Sequence, residues 1–564
     1  MTDRSELLVV GRIATLEGAT GFGWVEAIAI SRGQVVAAGD RATVEAAAGA
    51  RTRRLDLGPG EVAIPGIIDA HLHLAQAAIS SRDVDLGETP TLEAGLAQVG
   101  EVQASLPLGV WLQGRGWDAD RWGGLPSAAA LESASPGRPA ALWAHDHHAV
   151  WVNETALRVA GIDAATPDPP GGAIRHDGSG HPSGILNEAA TRLVTGRIPA
   201  PSAADFEQAI LELGRELLAV GVTGVHDPGM LAPEEGLGPV FAAYRSLAEN
   251  GRLPVRVHVA IREEQLDAAT DAGLRSGISL TQSDDDLLRF GWLKLFADGT
   301  LGSRTATMIE PFEPEPGFED PPGGERGIWV TPPERLAALA GRAAAAGITT
   351  QIHAIGDEAV RRALDALEPT VGRTALVPRL EHVQVADPAD VERFGNAGIA
   401  ASIQPVHLRS DAAAARRRWG RRAETSSYRI RSLLDAGALV CFGTDAPVEP
   451  IDPWPGIEIA VTRRSPAWPL GTPPFGRREG VTLSEALRAA TVAPAASART
   501  ADRGRLSLGS RADLAVIEAA ALDERVEIGG PLGRARPTLV LVNGRVAYEA
   551  SAAPGRPASR LGTD

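Results

Sequence analysis

Lysine is almost absent from this chain. Lys and Arg together number 55, and only Lys294 is lysine, leaving 54 arginines. Arginine replaces lysine wherever a positive charge suffices. It fails where the amine must lose its proton, because guanidinium stays charged and offers no nucleophilic nitrogen. Lys294 lies in Gly-Trp-Leu-Lys-Leu-Phe-Ala-Asp-Gly (291–299), a short apolar run ending in a turn. A lysine kept there is a candidate for neutral-amine chemistry, such as a Schiff base or capture of CO2 as a carbamate. Cysteine is equally scarce: Cys441 is the only one, which rules out an intrachain disulfide and gives no sign of an oxidising compartment. No apolar run approaches the roughly 18 residues of a membrane span. No Lys/Arg-rich arm is present, and the net charge of −16 makes nucleic acid and anionic membranes poor partners. The N-terminal Met-Thr-Asp-Arg-Ser-Glu runs directly into a strand-like segment without a signal-peptide core. The expectation is a cytoplasmic protein with a small-molecule substrate, and a homodimer is the assembly considered.

What is present is a large apolar content, 44% against 22% charged, over 564 residues. That allows two to four domains, or one large barrel with a satellite. Residues 6–64 alternate apolar and polar between Gly-rich turns. Residues 512–519 and 538–548 read the same way, the second with an Asn543-Gly544 hairpin signal. Residues 1–64 plus 504–564 are therefore expected to close into one composite β-sandwich. Between them, strand-like runs at 62–70, 222–227, 254–261, 291–297, 348–353, 378–383, 399–405 and 438–444 alternate with helical stretches such as 204–219, 333–346, 357–367 and 484–490. Eight such units predict an α/β fold, a parallel (β/α)8 TIM barrel over 65–503. Residues 76–203 break the rhythm after the first strand and read as an inserted lid or subdomain.

The predicted strand ends carry ligand-type residues. The first ends in Asp69-Ala70-His71-Leu72-His73, where i and i+2 point to one side and both imidazoles can meet one ion. The fourth brings Lys294, the fifth His353, the sixth Leu380-Glu381-His382, the eighth Gly443-Thr444-Asp445. In a barrel these ends surround one pocket. Four His, an Asp and a Lys could hold two divalent ions if the Lys becomes an anionic bridging ligand.

Ile64-Pro-Gly-Ile-Ile-Asp-Ala-His-Leu-His73 resembles the opening motif of the metal-dependent amidohydrolase superfamily. Lys294-Leu-Phe-Ala-Asp-Gly-Thr-Leu-Gly-Ser-Arg-Thr-Ala306, His353-Ala-Ile-Gly-Asp357 and Gly443-Thr-Asp445 are similar to amidohydrolase family 3, in the branch that includes N-substituted formamide deformylase. Gly116-Trp117-Asp118, Leu125-Pro126 and His148-Ala-Val-Trp-Val-Asn153 match the same branch. The resemblance implies that His71, His73 and Asp445 bind one metal, that His353 and His382 bind a second, and that Lys294, carboxylated by CO2, bridges the two. Zinc suits this donor set, with Mn or Fe as alternatives. It implies Asp445 as the catalytic proton carrier.

Asp69 and Asp298 are candidate partners of the ligands or turn residues. Arg304, His148, His407 and Trp117 are candidate substrate contacts, and Trp111, Trp122 and Trp143 either line a pocket or form the lid's own core. Cys441 reads as packing. The leading expectation is hydrolysis of a C–N bond, amide or N-formyl. The alternatives are a lactonase, or a cyclic-amidine hydrolase or deaminase, on the same barrel, and a non-catalytic binding protein.

Overall fold

A parallel strand covered on both faces is buried along its length and tends to be apolar, and here eight largely buried runs pair in sequence. In the computed structural model they are β1 (Ile67–Asp69), β2 (Val222–Asp227), β3 (Arg256–Arg262), β4 (Leu288–Phe296), β5 (Thr349–Ala354), β6 (Arg379–His382), β7 (Ala400–Ile403) and β8 (Val440–Phe442). The structure describes residues 5–551, apart from 47, 88, 108, 145–148, 170–171, 231–235, 283–284, 303 and 315–324. Each strand runs parallel to the next. The Ala70 N–H donates to the Phe442 carbonyl at 3.0 Å and closes β8 onto β1. The fold is a (β/α)8 barrel.

Helices fill the intervals for local reasons. Pro333–Ala345 begins with proline in its first turn and buries Leu336, Leu339, Ala340 and Ala343, one face at 3–4 residue spacing. Pro388–Ala397 starts on Asp387, which accepts from the Ala389 N–H, and stops at Gly398 in the left-handed region. Leu483–Ala489 starts with a capping box between Thr482 and Glu485. Among the described residues no helix is long and apolar enough to cross a membrane.

The expected first strand, 62–70, is in fact two. Glu61–Pro65 pairs antiparallel with Leu514–Glu518 in a sheet built from both chain ends, and Ile67–Asp69 belongs to the barrel. The crossing is at Gly66, where a Cβ would lie 2.2 Å from Thr223 Oγ1. That terminal sheet is one eight-stranded array, around a core that includes Val9, Ile28, Leu514 and Leu539. The Asn543-Gly544 turn has both residues at positive φ, 53° and 72°, as a two-residue hairpin loop requires. Buried Arg256 at the foot of β3 ties this sheet to the barrel through a two-pronged contact with Asp513, 2.6 and 3.0 Å.

Residues 78–209 form a second compact unit. Its six-stranded sheet and its helices enclose a core of their own that includes Val99, Leu112, Trp117, Leu142 and Trp151.

Gly443 follows β8 where the barrel closes; a Cβ there would lie 2.6 Å from the His71 nitrogen and 2.9 Å from Asp69 Oδ1. Gly443→Ala is expected to cost about 1–3 kcal/mol through overpacking. A urea midpoint equal to the parent's would show that this seam is not tightly packed.

Candidate metal centre

The C-terminal strand ends bring the sequence-predicted ligands together. His71, His382 and Asp445 each place a donor atom within 4.8 Å of the others. Asp445 Oδ1 stands 3.4 Å from His71 Nε2 and 3.5 Å from His73 Nε2. The His353 and His382 rings lie 4.5 Å apart, and His71 and His382 5.1 Å. Lys294, fully buried in β4, is in register with Gln351 of β5, and its neighbour Phe296 is in register with His353.

Each imidazole is held from behind. His71 Nδ1–H donates to Glu381 Oε2 at 2.7 Å, and His73 Nδ1–H to the Gly229 carbonyl at 2.6 Å. His382 Nδ1–H donates to Gln404 Oε1 at 2.8 Å, and His353 Nε2–H to the Gly299 carbonyl at 3.1 Å. Such partners fix the tautomer and turn the remaining nitrogen's lone pair inward. Two ligand positions, His382 (φ 75°) and Asp445 (φ 62°), have left-handed backbone, which costs energy in a non-glycine residue and clusters at functional sites.

The charges are set for ligation. Burial pulls His73 and His353 down to about 3, and His382 well below its ordinary value, so all three are neutral imidazoles. Burial also pulls the Lys294 amine down to about 8, against the attraction of Glu381 and Asp445. Burial opposes a charged Asp445, but the His407 and His71 imidazoles beside it hold its carboxyl well below the usual range. His71 Nε2 and Lys294 Nζ are among the buried side-chain atoms without a hydrogen bond. A buried donor or acceptor left unmade is costly. His71 Nε2 stands beside the buried Asp445 carboxylate, and an unpartnered nitrogen facing a buried carboxylate fits a site completed by a cation.

The sequence model of the Amidohydrolase family matches residues 56–548. The chain belongs to this family. Membership implies a divalent metal, which the donor set above fits. The LONG AFTER FAR-RED 3 protein of Arabidopsis thaliana is 32% identical, over 92% of this chain and 88% of its own. An N-substituted formamide deformylase of Arthrobacter pascens is 29% identical, over 92% and 94%. A metal-dependent hydrolase structure from Pyrococcus furiosus superposes with a TM-score of 0.72 at 27% identity, covering 91% of this chain and 98% of that one.

The other candidate residues fall variously. Asp69 and Asp298 are backbone clamps. Asp69 accepts from the His71 N–H, the Thr444 N–H and the Thr444 hydroxyl, tying the ends of β1 and β8. Asp298 accepts from the Thr307, Ile355 and Gly356 N–H groups, tying the ends of β4 and β5; its carboxyl is 3.6 Å from His353 Nε2. His407 Nε2 lies 3.3 Å from Asp445 Oδ2, and its Nδ1 3.7 Å from Glu449 Oε1. Burial opposes its charge, but these carboxylates push it up to about 10. Arg304 is buried over the Phe312 ring and donates to the Glu313 carbonyl at 2.8 Å. His148 lies outside the described residues. Trp117 is a core residue of the 78–209 unit, buried with its indole N–H on the Leu142 carbonyl at 2.8 Å, and Trp111 is buried in the same unit. The half-buried Trp122 donates to the Thr89 carbonyl. Cys441 is buried inside β8, where burial pushes its thiol up to about 12.

Sequence reasoning missed Glu381, Gln404 and the Gly229 and Gly299 carbonyls. The one available signal was Glu381 itself, a carboxylate placed directly before His382 in an expected barrel strand.

Trp117→Ala is expected to cost about 3–5 kcal/mol, as for a large buried aromatic. An unchanged unfolding midpoint would remove Trp117 from the core and return it to the list of pocket residues.

Proposed function

We propose that this amidohydrolase holds two divalent ions, most simply zinc, and cleaves a C–N bond of amide or N-formyl type in a small molecule. The observation that carries the reading is the buried amine of the only lysine, without a hydrogen bond at the ligand cluster. An amine drawn toward neutrality by burial can attack CO2: the N–C bond forms, the nitrogen loses a proton, and the product is a carbamate anion. Lys294 carboxylated in this way would bridge both ions. His71, His73 and Asp445 would complete one site, and His353 and His382 the other. When bound, such ions lower the pKa of water and polarise a carbonyl. Asp445 would take the proton of the attacking water at its Oδ1 and deliver it to the leaving nitrogen. His407 holds the other oxygen, Oδ2, and so keeps Oδ1 directed at the ligands. The C–N assignment rests on the deformylase relative. A small-molecule substrate without nucleic acid, a cytoplasmic location and a homodimer belong to the same reading.

Lys294→Arg keeps the charge and removes the amine chemistry. Metal analysis of the purified variant should find the bound ions lost along with activity; a variant that keeps two ions and full activity would end the bridging role. Asp445→Asn should lower kcat by roughly 10²–10⁴ with the fold intact, and an unchanged kcat would remove Asp445 from the mechanism. A panel of N-formyl amines, simple amides, lactones and cyclic amidines tests the bond. Turnover confined to the last two classes would overturn the C–N assignment.

A further inference from the structure

Beneath the ligands, the barrel interior is polar rather than purely apolar. Arg379 of β6 is completely buried there. Its Nη2 donates to the Ala70 carbonyl at the end of β1 (3.0 Å) and to Gln351 Oε1 of β5 (2.6 Å). Its Nη1 donates to His226 Nδ1 of β2 (2.8 Å), and the guanidinium lies 4.2 Å from the ring centre of Trp292 on β4. Its Nε donates to Glu381 Oε1 at 3.0 Å, two residues along its own strand. The other oxygen of Glu381 accepts from His71 Nδ1–H. One side chain thus contacts five strands, and one carboxylate joins it to a ligand.

We propose that Glu381 and Arg379 are positioning residues of the metal centre. They touch no substrate and no ion. They orient His71 and keep its proton on Nδ1, so that Nε2 presents a lone pair.

The chemistry of the two oxygens supports this. Both accept from groups that can only donate as oriented: a guanidinium, and an imidazole Nδ1–H. A carboxylate satisfies both at once. A glutamine in the same shape cannot, because its amide NH2 must oppose one of the two donors. Arg379 in turn cannot be replaced by lysine without loss, since a compact ammonium cannot reach Glu381, Gln351, His226 and Ala70 in one plane. The competing view is that the pair is only a structural plug. The two views differ in what happens to metal affinity in protein that still folds.

This inference rests on the metal-centre reading, and the test separates the two. Metal-stripped wild type, Glu381→Gln and Arg379→Lys are titrated with Zn2+ against a chromophoric chelator, and the visible spectrum of each Co2+-loaded protein is recorded. Circular dichroism scores folding. In the folded variants the expected result is zinc affinity about 10–100-fold weaker, with an altered cobalt spectrum. Wild-type affinity and an unchanged spectrum in both folded variants would overturn the positioning role and leave the centre intact. Loss of folding in both would make the pair a plug and also overturn it. Failure of the wild type itself to bind either metal would instead overturn the metal-centre reading.

Discussion

Taking one amine out of water, with no hydrogen bond to receive it, is the constraint around which this barrel is organised. A charged ammonium buried alone costs several kcal/mol even after relaxation. Lys294 sits where that cost would be borne, fully buried. Arg262 and Arg379 disfavour its charge, and Glu381 and Asp445 favour it. A neutral amine relieves the penalty, and a carbamate between two cations removes it while supplying the anion that the ions need. The second solution is the one proposed, and it would account for the lone lysine in a chain that otherwise uses arginine. It also accounts for the lone pairs that His71 and its neighbours turn toward the same place.

The rest of the centre is a matter of holding residues still. Asp69 and Asp298 each tie two adjacent strand ends together through backbone N–H groups. These ties fix the chain at His71, Thr444 and Ile355, next to the ligands. The left-handed backbone at His382 and Asp445 is tolerated because the surrounding contacts over-determine it. Below them, the buried layer of Arg379, Gln351, Glu381 and His226 replaces the branched apolar filling common in such barrels. Every member named has a partner, which is the condition under which a buried polar layer rigidifies a core.

Much of this was legible in the sequence, and the exceptions have a common cause. The eight-unit rhythm was readable because most strands buried on both faces are rich in apolar residues and alternate with helical stretches. The candidate ligands were readable because they share one region, at or near the C-terminal end of a strand. The break at Gly66 was not, because residues on both sides of it are buried and apolar, so periodicity cannot separate a terminal-sheet strand from a barrel strand. Glu381 escaped because its partner His71 is 310 positions away, and nothing local marks such a pairing. Trp117 escaped for the same reason: an aromatic in an insertion looks alike whether it lines a pocket or fills a core, and only its neighbours in space decide.

The central claim is the state of Lys294, and carbon NMR reads it directly. Zinc-loaded protein equilibrated with 13C-bicarbonate should show one protein-bound carbamate carbon per chain, which Lys294→Arg abolishes. Active, zinc-loaded protein with no such signal would contradict the account.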